Sequence, residues 1–202
     1  MSLVRFPLEQ YATLELNQVA FPQTGMVVSQ TPLGPKFVEG GSGNYGVCEN
    51  GMWVLADKSK GVIDAAAAVT DTPIGIVYTA EKEYDIFHYG LKTFGRKVAG
   101  DYPRVGILGL GDTVTTNCLQ YDDTEFAAVT TTGSEKTSEQ ALYEALGDIA
   151  NTPMYVILVA GSPVPQLTNT LPNGYAGPVG KVTKFYTVPN GEKGVKYQII
   201  SL

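Results

Sequence analysis

From Gly25 onward the chain alternates short runs rich in Val, Ile, Tyr and Thr with clusters of Gly, Pro, Asn and Asp, the pattern of many short strands joined by turns. The runs predict strands over Met26–Gln30, Lys36–Glu39, Tyr45–Cys48, Met52–Ala56, Val62–Ala66, Gly75–Thr79 and Tyr84–Tyr89. Further strands are predicted over Val105–Leu108, Asp112–Asn117, Glu125–Thr130, Met154–Ala160, Gly180–Val188 and Val195–Ile200. Two Asn-Gly pairs, Asn50-Gly51 and Asn190-Gly191, predict tight hairpins, because both residues tolerate the positive φ of a type I′ turn.

One stretch changes period. Thr137-Ser138-Glu139-Gln140 spells a capping box, and Ala141, Leu142, Ala145, Leu146 and Ile149 then fall on one helical face. A short amphipathic helix over about 138–149, covering a sheet, is expected. Residues 1–24 differ again: Pro7, Pro22 and Gly25 bracket a stretch with one strand-like run, Thr13–Leu16. It reads either as an extended N-terminal arm or as the first strand of the domain.

The expectation is a mainly β fold, a barrel or sandwich of short antiparallel strands. An arm over 1–24 would precede a β-rich domain over 25–202, built as one unit or as two small barrels meeting at about 100–118. A Pro-β-Gly-x-β pattern recurs in Pro73-Ile74-Gly75-Ile76-Val77 and Pro178-Val179-Gly180-Lys181-Val182, and more loosely from Pro103. Proline at a strand start followed by glycine within it suits similar corners of one barrel-like fold.

Composition narrows the function. The 202 residues are 44% hydrophobic and 17% charged, which fits a globular chain with a sizeable core. A net charge of −6 argues against a large nucleic-acid footprint, which needs clustered Lys and Arg. Acid is concentrated at Asp112, Asp122, Asp123, Glu125, Glu135, Glu139, Glu144 and Asp148, whereas Lys181, Lys184, Lys193 and Lys196 lie near the C-terminus. This asymmetry suits two solvated faces, or a means of orienting subunits against one another or against a partner. Cys48 and Cys118, 70 positions apart, form no metal-binding pair and leave a single disulfide open. The first ten residues lack the apolar core of a secretory signal, and no window approaches a membrane span, so a soluble protein made in the cytoplasm is expected.

Each catalytic near-match fails on context. The single histidine, His88, sits in a strand-like run, and no Gly-x-Ser-x-Gly elbow accompanies it. Gly41-Ser42-Gly43-Asn44-Tyr45-Gly46 spells GxGxxG, but a strand-like run and a turn follow where a dinucleotide site needs a helix. Gly180-Lys181 fails as a phosphate loop, with Tyr175 at the first glycine position and Val182 in place of Ser or Thr. Asp122, Asp123 and Glu125 lack EF-hand spacing and read as a solvated turn. No catalytic residue, metal site or cofactor is assigned.

The run Asn50-Gly51-Met52-Trp53-Val54-Leu55-Ala56-Asp57, through Asp64-Ala65-Ala66, to Pro73-Ile74-Gly75-Ile76-Val77-Tyr78 resembles the small β-barrel modules of bacteriophage capsid-decoration and head-fibre proteins. The shared order is a glycine turn, a strand ending in Asp, an Ala-rich passage and a Pro-Ile-Gly-Ile-Val return strand. Leu110-Gly111-Asp112-Thr113-Val114 has a similar flavour; residues 118–151 have no counterpart. The resemblance implies a non-enzymatic virion protein on the capsid surface that binds the major capsid protein or another virion component, as a homo-oligomer without nucleic acid or membrane. Apolar positions of the arm, Val4, Phe6, Leu8, Leu14 and Leu16, are the expected anchors on that partner. The alternatives are a tail or baseplate component, a carbohydrate-binding β-sandwich presenting Trp53, Tyr45 or Tyr175, and an enzyme. For Trp53, strand alternation with its neighbours favours a core position.

Overall fold

Met52-Trp53-Val54-Leu55 and Ile74-Gly75-Ile76-Val77 are apolar without alternation, as strands covered on both faces must be. They occupy the middle of the molecule. The computed structural model describes residues 3–6, 12, 14, 19–20, 26–38, 45–79, 97–127, 136–187 and 191–202. The protein is mainly β, with 39% strand against 9% helix, in two sheets and no closed barrel.

The smaller sheet contains β2 (Val27–Val28), β3 (Trp53–Leu55), β4 (Ile74–Val77) and β5 (Val105–Ile107), in the order β2-β5-β4-β3 and antiparallel throughout. Both its faces are buried. Trp53, Leu55, Ile74 and Ile76 join one apolar cluster with the larger sheet, while Val54, Val77 and Val105 join a second with Leu33, Phe37, Cys48 and Ile63.

The larger sheet contains β1 (Leu3–Arg5), β6 (Thr113–Thr116), β7 (Gln120–Asp122), β8 (Tyr155–Val159), β9 (Ser162–Thr168), β10 (Val179–Thr187) and β11 (Lys193–Ser201), in the order β1-β7-β9-β8-β10-β11-β6. The pairs are antiparallel except for β7 with β9, which is parallel. The chain passes from the smaller to the larger sheet between Ile107 and Thr113, within the 100–118 boundary read from the sequence, but one apolar cluster spans both sheets.

This sheet cannot be flat. Five inter-strand steps separate β6 from β7, about 24 Å in a flat sheet. Only Asn117, Cys118 and Leu119 join them, and four Cα steps reach at most about 14 Å. The sheet therefore curls until β6 and β7 approach across an open seam. The N-terminal segment lies in that seam. β1 pairs with β7 (Leu3↔Asp122, Arg5↔Gln120), Phe6 N–H donates to the Leu119 carbonyl at 2.8 Å, and Leu14 and Ala20 then bridge Thr116 and Thr113 on β6. Of the two architectures expected, barrel or sandwich, the fold is two sheets without a closed barrel, and described residues of the N-terminal segment bond to both β7 and β6 at the seam.

The single helix α1 (Ser138–Gly147) carries the capping box at Thr137 and Gln140, and buries Leu142 and Leu146 in the shared core. It ends two residues before the expected Ile149. At Asn50-Gly51 a turn forms, with Met52 N–H donating to the Glu49 carbonyl at 3.3 Å, but the hairpin does not: β3 pairs with β4, and Cys48 bridges Lys97. Positive φ occurs at Gly51 (+94°) and at no described non-glycine residue, so the turn is not type I′. The Cβ of any other residue at 51 would lie 2.5 Å from Cys118 Cβ. β10 and β11 do pair antiparallel, from Thr187↔Lys193 onward, with residues 188–192 between the paired positions; Asn190 of the expected tight turn lies outside the described residues.

The repeated proline-glycine pattern has a packing cause. Each glycine lies where a neighbour covers the strand: a Cβ on Gly75 would meet Val105 Cγ1 at 2.4 Å and the Gly106 carbonyl at 2.9 Å, and one on Gly180 would meet the Tyr197 ring at 2.6 Å. Overpacking of this kind costs about 1–3 kcal/mol. Gly75→Ala and Gly180→Ala are therefore expected to lower the denaturation midpoint, whereas Gly147→Ala, with open space at its Cβ, is neutral or stabilising. Urea unfolding of the three variants checks this.

Candidate functional site

The apolar positions expected to contact a partner are placed as follows. Phe6 and Leu14 are buried in the core of their own chain, at 5% and 0% exposure, and Val4 packs against that core half-buried. Leu8 and Leu16 lie outside the described residues. A side chain with no exposed surface reaches a partner only by leaving its own core. Charge fastens the same segment: Glu49, on the turn before β3, accepts from Arg5 Nη2 at 3.0 Å and from the Ala12 N–H at 2.9 Å. The sequence pattern carried no sign of this carboxylate, whose partners lie 44 and 37 positions away.

Trp53 is fully buried, as strand alternation suggested. Its indole N–H donates to the Tyr197 hydroxyl at 3.0 Å, joining the two sheets through the core. The Tyr175 hydroxyl accepts from Leu158 N–H at 2.8 Å and lies within donating reach of the Leu158 and Pro178 carbonyls. It is occupied in bracing the segment before β10. Of the three aromatic residues weighed as sugar platforms, Tyr45 borders a cleft.

That cleft, about 440 Å³, opens where the edge of the smaller sheet meets the β8–β9 turn. Leu55 and Ala65 are its buried apolar members; Lys36, Tyr45, Lys60 and Asp64 supply its polar groups. Tyr45 is held from two sides: its N–H donates to the Lys36 carbonyl at 2.9 Å, and its ring meets Phe37 edge-on at 5.2 Å. The Lys36 ammonium lies 5.5 Å from the ring centroid, and the charges of Lys36 and Asp64 both act on the phenol. Burial, then the Asp64 charge, pushes the phenol above its ordinary pKa, so it stays a neutral hydroxyl.

Asp122, Asp123 and Glu125 fasten local structure. Asp122 accepts from the N–H and hydroxyl of Thr124 at 2.9 and 2.7 Å, Glu125 from the Thr168 hydroxyl and Asn169 N–H at 2.8 and 2.5 Å, and Asp123 from the Ser138 hydroxyl. Among the described residues no three His, Cys, Asp or Glu side chains are grouped to hold a metal ion. Gly180 and Lys181 lie in a paired stretch of β10. From Tyr45 to Asp57 no helix follows the GxGxxG match, whose first four residues lie outside the described set, as does His88. No described helix is long and apolar enough to cross a membrane.

Cys48 and Cys118 are both fully buried in the second apolar cluster as free thiols. Burial pushes Cys118 up to about 12 and Cys48 well above the ordinary thiol value. The thiolate is the nucleophile, so neither thiol is expected to react with Ellman's reagent until the protein unfolds, when both do.

Burial likewise pushes Tyr143 and Tyr175 up to about 12, with Glu139 adding to the effect at Tyr143, and raises Tyr197 strongly. The folded state thus holds more protons than the unfolded chain once the pH exceeds the ordinary phenol value of 10. Stability from these groups is complete below that value and falls as pH rises from 10 toward 12. In an alkaline titration, phenolate absorbance from these tyrosines should appear together with loss of near-ultraviolet circular dichroism, and reverse with it.

No family model, curated protein or solved structure matches this chain.

Proposed function

We propose that the chain is a non-enzymatic structural subunit of a virus particle, of the capsid-decoration type, binding the assembled shell at its surface. The observation that carries this reading is the folding of the stretch that resembles decoration modules. The Gly51 turn leads into β3, Asp57 caps the 3-10 turn Lys58–Lys60, the Ala-rich passage crosses, and Pro73 opens β4, which returns antiparallel to β3 (Trp53↔Ile76, Leu55↔Ile74). The main stretch that carries the resemblance thus contains one antiparallel strand pair, β3 with β4.

The partner in this reading is the major capsid protein or another virion component, with further copies of the chain alongside. Modest affinity per copy suffices, because a shell repeats its sites and avidity multiplies them. The N-terminal segment stabilises the subunit, and shell contact falls to the outer surface. The test is sedimentation of purified protein with and without shells of the virus that encodes it, followed by imaging of the particles. Co-sedimentation with regular density on the head supports the reading. Protein left in the supernatant overturns it, and density on the tail replaces it with a tail or baseplate role.

A further inference from the structure

We infer that the cleft between the two sheets binds an anionic saccharide unit, with the Tyr45 ring and apolar floor against the sugar, Asp64 and the Tyr45 hydroxyl on its hydroxyl groups, and Lys36 and Lys60 on its negative group. This site stands independently of shell binding.

Three observations converge. The first is shape. A volume of about 440 Å³ lies within the range of small-molecule sites, about 300–1,000 Å³, and suits one or two sugar rings. The second is the arrangement of polar and apolar surface. A pyranose has hydroxyls around its rim and C–H groups on its faces. The cleft offers Leu55 and Ala65 beside an aromatic ring, with the Asp64 carboxylate and the Tyr45 phenol among its lining groups. Ring and phenol are pre-positioned by Phe37 and the Lys36 carbonyl, which reduces the ordering cost of binding.

The third observation is charge. The chain carries a net −6, yet this cleft gathers two ammonium groups against one carboxylate. The Lys36 ammonium lies over the Tyr45 ring, 5.5 Å from its centroid, and Lys60 reaches the cleft from a 3-10 turn whose start is capped by Asp57. A local positive excess in an acidic protein selects an anionic ligand over a neutral one. The negative group can be a sugar carboxylate or a sugar phosphate, which present the same chemistry to an ammonium.

The test is nuclear magnetic resonance titration at low salt with glucuronate, glucose 6-phosphate, glucose and inorganic phosphate, following the resonances of Tyr45 and Lys60. At least one charged sugar is expected to bind about tenfold more tightly than either glucose or inorganic phosphate. Which one binds identifies the negative group. Lys60→Glu, at an exposed position, should weaken that binding by about tenfold or more without changing the thermal midpoint. Tyr45→Phe, which keeps the ring against Phe37, should weaken it less. Absence of shifts with both charged sugars overturns the inference, as does equal binding of inorganic phosphate, or unaltered binding by Lys60→Glu. A protein that binds shells but no sugar refutes this site alone; one that binds sugar but no shells refutes the shell reading alone.

Discussion

Trp53→Ala is expected to leave the protein largely unfolded under conditions where the parent is folded. Trp53 is fully buried, stands at the edge of the smaller sheet and packs on Tyr197 of the larger one with ring centroids 6.0 Å apart. Truncating a buried Trp to Ala costs about 3–5 kcal/mol. The change also strips the fully buried Tyr197 hydroxyl of its indole donor, and an unsatisfied buried polar group costs about 1–3 kcal/mol more. Domains of ordinary stability hold about 5–15 kcal/mol in total, so the loss is a large fraction of the whole. Trp53→Phe separates the two contributions, since it keeps most of the apolar volume and loses the N–H. Equilibrium urea unfolding should rank the parent above Trp53→Phe and Trp53→Ala last. A loss below about 1 kcal/mol for Trp53→Ala would contradict the sheet-to-sheet packing described above.

Leu14→Ala should produce the second large effect, although residue 14 falls in a stretch that reads from sequence as an arm. Its side chain has no exposed surface, and its backbone bridges Thr116 at the β6 edge. The expected cost is about 2–5 kcal/mol. The location of the damage is more diagnostic than its size. Ala20 and Thr113 exchange two backbone hydrogen bonds, each 3.0 Å, six residues along the same edge. Loosening the segment should speed amide exchange at Thr113 and Ala20 before it affects Val156 or Leu158 in the middle strands. If the segment served only a neighbouring subunit, dilute monomer would lose less than about 0.5 kcal/mol, as a surface change does.

These expectations show how unevenly the fold was legible. The helix could be read because its signals are local: the Thr137 and Gln140 cap and the Leu142 and Leu146 stripe lie within ten residues of one another. β3 and β4 were legible as unbroken apolar runs. No strand is expected over β9, which contains Pro163 and Pro165, two residues unable to donate to a ladder. The structure accommodates them where the β8–β9 ladder skips from Val159↔Ser162 to Ile157↔Gln166, so no proline N–H is needed. The run expected over Glu125–Thr130 forms no strand at 125–127, and 128–130 lie outside the described residues; β7, Gln120-Tyr121-Asp122, is too short and polar to announce itself. It forms because β1 and β9 supply partners distant in the chain.

The candidate cleft was barely legible, for the same reason. Lys36, Tyr45, Lys60 and Asp64 share no common motif, and backbone contacts between distant positions, the parallel bridge Leu33↔Ile63 and the Tyr45 N–H to Lys36 carbonyl bond among them, bring their segments together. Tyr45 had been noted as an aromatic residue suited to sugar, but its partners depend on tertiary contacts. The N-terminal segment reads from sequence either as an arm or as the first strand of the domain, and no local signal chooses between them; its described residues pair with β7 and β6 of the same chain at the seam.

That seam is the centre of the account, and a disulfide placed across it is the most direct test. Ala20 and Thr113 form a hydrogen-bonded antiparallel pair, whose Cα separation of about 5.5 Å suits a disulfide, and neither side chain belongs to the buried core. In the double variant Ala20→Cys, Thr113→Cys, oxidised and mapped by mass spectrometry, the predicted result is a link between positions 20 and 113 of one chain, formed equally at every dilution and migrating as a monomer. Linkage between chains, or failure of the two positions to join, would contradict it.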